Sequence, residues 1–572
     1  MNKKRISLLS LLLIVLLVLT SCASGTTGVS STGSAATAAP AAQGGASAAP
    51  ADTAGAADAT GQQGDGPAFY AVPFADGQVI KIGIYENYLT GYPYSSGLPV
   101  WEQLQESTGM KVEWDTTPSS EYKTVMQTRL AAGVDLPDFI CCNFNQMKYV
   151  NDGLIVDLTE YMDKWGYYTH YYLYEQGNDY ILPYMQGPDG HIYFWADDVA
   201  GTNAADPYVW MYREDMLAKT SVKELVTIDD WYQACKELYQ QDNSVIGMMW
   251  VDAWKDVALA WDLHLYGTQN GWAVDENGKV VYDYTDPRLV EVLQFLQKCY
   301  KEGLLDKEFL DLTDDMRLTR VTNNQAFSYM GFLNKVATFN KALAGAGIDG
   351  QYVVANPPVA GDEYTMGVPM YGPASKQYGF TIDSVDENFE YKFKFIDYVY
   401  GSDEGAIAQS MGIEGLSYEW VDGEPVFTDY VVDNPDGLGV NAALRQMGAM
   451  GTMPWTRSLY GMSRFNPLGT ISKNEIQKEA AARYQDYIYT GFPVTMLMTE
   501  EQDTQLTKYL PDIETYWKEF CAKAITTNMD IAAEFDKFVS DLYAFGLQEC
   551  IDIRQQQYEA SGMDLNALAD NY

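Results

Sequence analysis

The chain has 572 residues, 47% of them apolar, and sets 37 Lys and Arg against 78 Asp and Glu for a formal charge of −41 at pH 7. A field of that sign repels nucleic acid and anionic membrane surfaces, so neither is expected as a binding partner. The length leaves room for roughly two or three domains and a large core.

The chain opens MNKKR, a short basic run, and continues with the apolar stretch Ile6 to Thr20. A membrane-spanning helix needs about 20 apolar residues to cross ~30 Å of hydrocarbon. This shorter stretch therefore predicts a secretory signal peptide over residues 1–21. Leu19-Thr20-Ser21-Cys22 resembles the bacterial lipobox, which implies cleavage before Cys22 and lipidation of its thiol. Two or more acyl chains anchor stably, so the mature chain is expected at the extracellular face of the cell membrane, held by Cys22. Loss of Lys3, Lys4 and Arg5 makes it more negative still. From Cys22 to about Gly66 the composition is Ala, Gly, Ser, Thr, Pro and Gln with no apolar periodicity. Residues 22–74 are expected to form a flexible linker, and ~45 residues at ~5.5 Å × √n reach roughly 37 Å.

Gln78–Tyr85 (QVIKIGIY) reads as a buried first strand. Leu98–Thr108 reads as a helix with Val100, Trp101 and Leu104 inward and Gly109 as its stop. KVEWDTTP follows as a strand, Glu121–Ala132 as a helix ended by Gly133, and DLPDFICCN as turn and strand. The order β-α-β-α-β predicts an α/β layered architecture. DENGKVVYDY reads as a hairpin on Asn277-Gly278. Its carboxylates invite calcium, but an EF-hand loop needs glycine five residues after the first Asp. Asp286-Pro287 should open a helix with Leu289, Val292, Leu293, Leu296 and Cys299 on one face, closed by Gly303. A last long helix is expected from about Asp530 to Gln556, with Phe535, Phe538, Val539, Leu542 and Phe545 inward.

Besides Cys22 there are six cysteines: Cys141, Cys142, Cys235, Cys299, Cys521 and Cys550. The even count permits disulfides, though a chain this long needs none. Vicinal Cys141-Cys142 at the end of a buried strand is expected to pack as two small hydrophobes. The three histidines, His170, His191 and His264, lie at spacings that suggest no metal site. No cofactor is expected, bound calcium is left open with no specific motif to support it, and the G-x-S-x-G, H-E-x-x-H and P-loop patterns of common enzymes do not occur.

The motif order resembles the extracellular solute-binding proteins of sugar ABC transporters, closest to the large lipoprotein branch serving oligosaccharide importers. LPVWEQLQESTGMKVEW, RLAAGVDLPDFI, VWMYREDMLAK with TIDDWYQACKEL, NNQAFSYMG and MGIEGLSYEWVDGEP carry the likeness across roughly residues 79–557. Asn324 and Gln325 depart from the family's Gly-Lys. The resemblance implies a two-lobed periplasmic-binding-protein-like α/β fold with hinge crossovers and a ligand cleft between the lobes. Mapped by motif order, lobe one holds 75–200 and 360–430, lobe two 201–359 and 431–557, and 558–572 is a tail. Crossovers are expected near 200–207 and 356–364.

Sugars present C–H faces to aromatic rings and hydroxyls to polar side chains. In the loops where the family contacts ligand lie Glu86, Asn87, Tyr88, Asn143, Phe144, Asn145, Trp195, Asp197, Trp210, Tyr212, Trp250, Trp254, Phe332 and Trp455. Arg213 reads instead as a structural ion pair. The expected function is reversible capture of a carbohydrate by a monomer that delivers it to ABC permease subunits, without catalysis. The alternatives are a sensory or adhesion lipoprotein of the same fold, or a peptide-binding receptor.

Overall fold

The structure is a computed structural model. It describes residues 67–562 except 87–90, 143–145, 198–206, 251, 266–269, 362–367, 371–375, 422, 436–437, 439, 450–452, 454–474, 485–486, 491 and 493–495. The leader and Cys22 lie outside the described residues, among which no helix is long and apolar enough to cross a membrane.

The expected opening order is present: strand Val79–Tyr85, helix Pro99–Thr108, strand Lys111–Thr117, helix Ser119–Ala132 and strand Phe139–Cys142. Gly109 ends the first helix in the left-handed region, φ 78°, and donates its N–H to Gln105 O at 2.9 Å. Only glycine fits there, since a Cβ would fall 2.0 Å from Ala75 O. These three strands run parallel, with Lys111–Thr117 at the edge and Val79–Tyr85 inside it. Gln377–Phe380 then pairs antiparallel with Phe139–Cys142, and Trp195–Ala196 antiparallel with Gln377–Phe380.

A second sheet has the order Tyr352–Val354, Tyr208–Arg213, Ala326–Phe332, Ile246–Met248. Helix Arg288–Glu302 buries Leu289, Val292, Leu293, Leu296 and Cys299 against its core, the face the periodicity predicts. The expected N-cap shifts by one residue: Pro287 takes that place, and Asp286 Oδ1 accepts the Arg288 N–H at 2.8 Å. The hairpin forms, Trp272–Val274 against Val280–Tyr282. Asp275 Oδ1 is used inside the turn, accepting the Asn277 and Lys279 N–H groups at 2.9 and 2.8 Å.

The last long helix is two helices, Ile531–Ala544 and Leu547–Ser561, because Gly546 turns the chain at φ 100°. Phe535, Phe538 and Leu542 are buried as expected, but Phe545, at the break, is 39% exposed. The sequence reading passed over helix Glu500–Thr526, which Thr499 and Gln502 start with a capping box and which holds Pro511 inside it.

One apolar core surrounds the first sheet, and a second of similar size and a third, smaller one cover the faces of the second. Val431, Leu444, Met447, Ala449 and Met453 pack in the first core, although motif order placed 431–453 with the second lobe. The expected linker also ends early. Phe69 meets Tyr167 edge-on with centroids 5.1 Å apart, and Phe74 packs against the first core. The Tyr70 hydroxyl donates to Asp397 Oδ2 at 2.7 Å, and the fully buried Asp397 also accepts the N–H groups of Tyr168 and Thr169 at 3.0 and 2.8 Å.

Candidate ligand-binding site

Strand pairing shows which edge of each sheet meets the crossovers. In the first sheet Cys142, the carboxyl end of its strand, lies opposite Gln377, where the chain returns; Gln377 lies opposite Ala196, where the chain leaves. In the second sheet the chain arrives at Tyr208, opposite Phe332, the carboxyl end of its strand. It departs just beyond Val354, with the Ala355 N–H bonded to Trp210 O at 2.9 Å. Both sheets thus direct carboxyl strand ends to the crossovers, the position where open α/β sheets bind ligands.

The fourteen expected contacts divide sharply against this frame. Asn87, Tyr88, Asn143, Phe144, Asn145 and Trp455 lie outside the described residues. Glu86 stands at the crossover edge, half-buried, with Oε1 accepting the Tyr94 N–H at 3.1 Å. Asp197 is fully buried and acts as a clasp: its Oδ1 accepts the Lys376 N–H at 2.7 Å and its own N–H donates to Lys376 O at 3.0 Å. It ties the outgoing crossover to the returning one. Trp195 is likewise a core residue. It has no exposed surface, its ring packs against Phe139, Phe380 and Phe393, and its N–H donates to Thr169 Oγ1 at 2.9 Å.

The second-lobe tryptophans are also core residues. Trp210 and Trp250 are fully buried and form a triad with Trp231, at centroid distances of 5.0 to 6.4 Å. Trp254 packs on Phe309 and Trp517. Tyr212 is half-buried against Trp231 and Phe327, four residues along the strand from Tyr208, roughly 14 Å from the crossover edge at ~3.4 Å per residue. Arg213 is the structural ion pair expected: it grips Asp215 with two bonds of 2.7 and 2.8 Å and donates to Asn324 Oδ1 at 2.9 Å.

Phe332 is the expected residue that stands partly open at the right edge, its ring edge-on to Tyr208 with centroids 5.5 Å apart. Beside this pair, helix Ala253–Ala258 supplies Asp256. The Tyr208 hydroxyl donates to Asp256 Oδ1 at 3.3 Å. Burial, then the charge of Asp252, push the Asp256 carboxyl well above the usual carboxylate range; Tyr208, Lys255 and Arg317 oppose the shift. Tyr208 and Asp256 were missed because neither belongs to a recognisable spacing. The described residues hold no cluster of three or more acidic, His or Cys side chains fit for a metal.

Two α/β sheets joined by repeated crossovers, with carboxyl strand ends and a half-open aromatic pair at the junction, define a two-lobed binding protein. The model of the bacterial extracellular solute-binding protein family matches residues 94–406, more than half of the chain, and the chain belongs to that family. It is 22% identical over 486 residues to the fructooligosaccharide ABC transporter substrate-binding protein FusA of Streptococcus pneumoniae serotype 4, covering 80% of this chain and 86% of the relative. It is 25% identical over 248 residues to lipoprotein LipO of Bacillus subtilis, covering 41% of this chain and 47% of that one. Among solved structures, the alginate-binding protein AlgQ2 superposes with a TM-score of 0.68 at 22% identity, covering 85% of this chain and 98% of AlgQ2. FusA in complex with kestose superposes with a TM-score of 0.65 at 19% identity, covering 84% and 99%.

Proposed function

We propose that this chain is a lipid-anchored receptor of an ABC importer that captures an oligosaccharide between its lobes and hands it to membrane permeases. The observation that carries the proposal is the junction: carboxyl strand ends of both sheets meet the crossovers there, and Phe332 with Tyr208 offers an apolar ring surface of the kind a sugar face packs on. The FusA and LipO likenesses support saccharide import and lipoprotein anchoring respectively.

Lobe one comprises 75–200 and 360–430, together with 431–453, which sends Val431, Leu444, Met447, Ala449 and Met453 into its core, and with Met496 and Leu497; lobe two comprises 201–359 and the remainder to 557. Glu86 and Phe332 face the cleft from opposite lobes. Ligand acts by favouring the closed state over an open one a few kcal/mol away, with no bond made or broken. Cys22 carries the lipid, and the receptor works as a monomer.

The test is a thermal-shift screen of the full chain, purified in detergent, against neutral, acidic and plant-wall oligosaccharides, with peptides as controls. Ligand at ~100 times its Kd stabilises by about 2.7 kcal/mol. A shift with one saccharide class and no new reducing ends is the expected result. A response to peptides alone overturns the proposal. Metabolic labelling with palmitate that Cys22→Ser abolishes is expected for the anchor.

A further inference from the structure

Asp256 is 2% exposed, and its Oδ2 has no hydrogen-bond partner among the described residues. Its other oxygen receives a single long bond, 3.3 Å, from Tyr208. A buried carboxylate left half-satisfied destabilises the fold, so native structures retain such groups mainly where they serve a purpose. The indole N–H groups of Trp210, Trp231 and Trp250 also lack acceptors, in rings that sit tilted or edge-on to one another within the core.

The surroundings say what kind of group would meet it. Tyr208 and Phe332 form the partly open aromatic pair at the crossover edge of the second sheet, and the hydroxyl of that same Tyr208 fixes Asp256. Asp252 opens the helix from the left-handed region, φ 45°, an unfavourable place for any residue with a side chain, and its negative charge acts on Asp256. Arg317, whose charge also acts on Asp256, is bonded to Asp314 and to Leu312 O, while its Nε, like the Asp256 oxygen, has no partner among the described residues. With its carboxyl held toward the protonated form, the free oxygen calls for a neutral group that can both accept and donate, lying against an aromatic face. A sugar hydroxyl on a neutral ring meets both requirements.

We infer that Asp256 is the hydroxyl-binding residue of the second lobe, that Tyr208 positions it, that Phe332 supplies the adjoining ring surface, and that the site selects neutral over uronate saccharides. This rests on the carbohydrate proposal above and adds the residue and the charge class.

The experiment uses the full chain in detergent and two readouts, Kd by calorimetry and the melting temperature without ligand. The probes are kestose, maltotriose, xylotriose and lacto-N-neotetraose as neutral saccharides and an alginate trisaccharide as the uronate. For the neutral saccharide the wild type binds, Asp256→Asn is expected to raise Kd at least tenfold, while the ligand-free melting temperature holds or rises. Tyr208→Phe is expected to raise Kd several-fold, and Phe332→Ala likewise. A structural role predicts the reverse pattern, a lower melting temperature with Kd unchanged. Wild-type binding that Asp256→Asn leaves within twofold overturns this inference alone, as does tighter binding of the uronate than of every neutral probe. A wild type that binds none of the saccharides overturns the carbohydrate proposal itself, and this inference with it.

Discussion

Tyr70→Phe removes one hydroxyl and tests how the amino-terminal segment is fastened to the first lobe. That hydroxyl donates to Asp397 Oδ2 at 2.7 Å and reaches Lys394 O at 3.0 Å. The ring contacts with Phe74 and Tyr168 are kept by phenylalanine. Burial raises the Asp397 carboxyl from 3.8 to about 6, against the bonds from Tyr70, Thr169 and Tyr168 that favour the ionised form. The folded state therefore holds a proton that the unfolded state has released between pH ~4 and ~6. At about 1.36 kcal/mol per pH unit, wild-type stability falls by up to ~3 kcal/mol as pH rises through that window and is flat above it. At pH 7 the carboxylate is charged, and the lost bond is worth about 1.5–3 kcal/mol; at pH 4 the carboxyl is neutral and the loss shrinks to roughly 0.5–1.5 kcal/mol. A lobe of this size shifts its melting temperature by about 2–4 °C per kcal/mol. Calorimetry at both pH values should show the larger drop at pH 7, and hydrogen exchange should rise over residues 67–78. Equal drops at the two pH values would refute the assignment of Asp397 as the charged acceptor.

Other expectations follow from single contacts. Burial pushes the Cys141 thiol up to about 12 and raises that of Cys142 well above its ordinary value, and all six described cysteines are buried and free. Iodoacetamide at pH 8 should leave these six unmodified in the native chain and alkylate them in guanidinium, by peptide mapping; native labelling at Cys141 or Cys142 would contradict their burial. Arg213→Ala breaks a bidentate pair whose guanidinium is 1% exposed, and should cost about 3 kcal/mol in denaturant unfolding, near the lower end of the range for buried pairs because Asp215 keeps some contact with water. Trp195→Phe, which loses the bond to Thr169 and leaves a void, should lower the melting temperature and leave saccharide Kd within twofold.

The fold was legible where one physical signal had no competitor. Alternating apolar runs with glycine stops placed the opening β-α-β-α-β unit to within a residue or two at most boundaries. The 3.6 period identified the buried face of helix Arg288–Glu302 without error. It failed where a glycine could be read two ways: Gly546 sits inside a continuous apolar pattern, so periodicity ran through a break that only positive φ creates. The long helix Glu500–Thr526 was passed over although its capping box is plain in the sequence, and Pro511 stands inside it. The allegiance of 431–453 is a tertiary fact, set by which core Leu444 and Met447 can reach, and no local pattern encodes it.

The site was harder to read because aromatic side chains serve two ends with the same chemistry. With 13 Trp, 43 Tyr and 21 Phe, most rings must fill cores, and tryptophan, the residue most suggestive of a sugar platform, is also the largest apolar filler. Trp195, Trp210, Trp250 and Trp254 show the outcome: each stands near a loop or a strand that leads to the cleft, and each is packed away. A ring is satisfied by burial alone, so its position in the sequence carries little information. A carboxylate is not, and its partners must be found one by one. Asp256, with an oxygen that no described residue answers, is therefore a more telling residue than its tryptophan neighbours. In a binding protein rich in aromatics, the polar groups that the fold leaves unanswered mark the ligand more sharply than the rings.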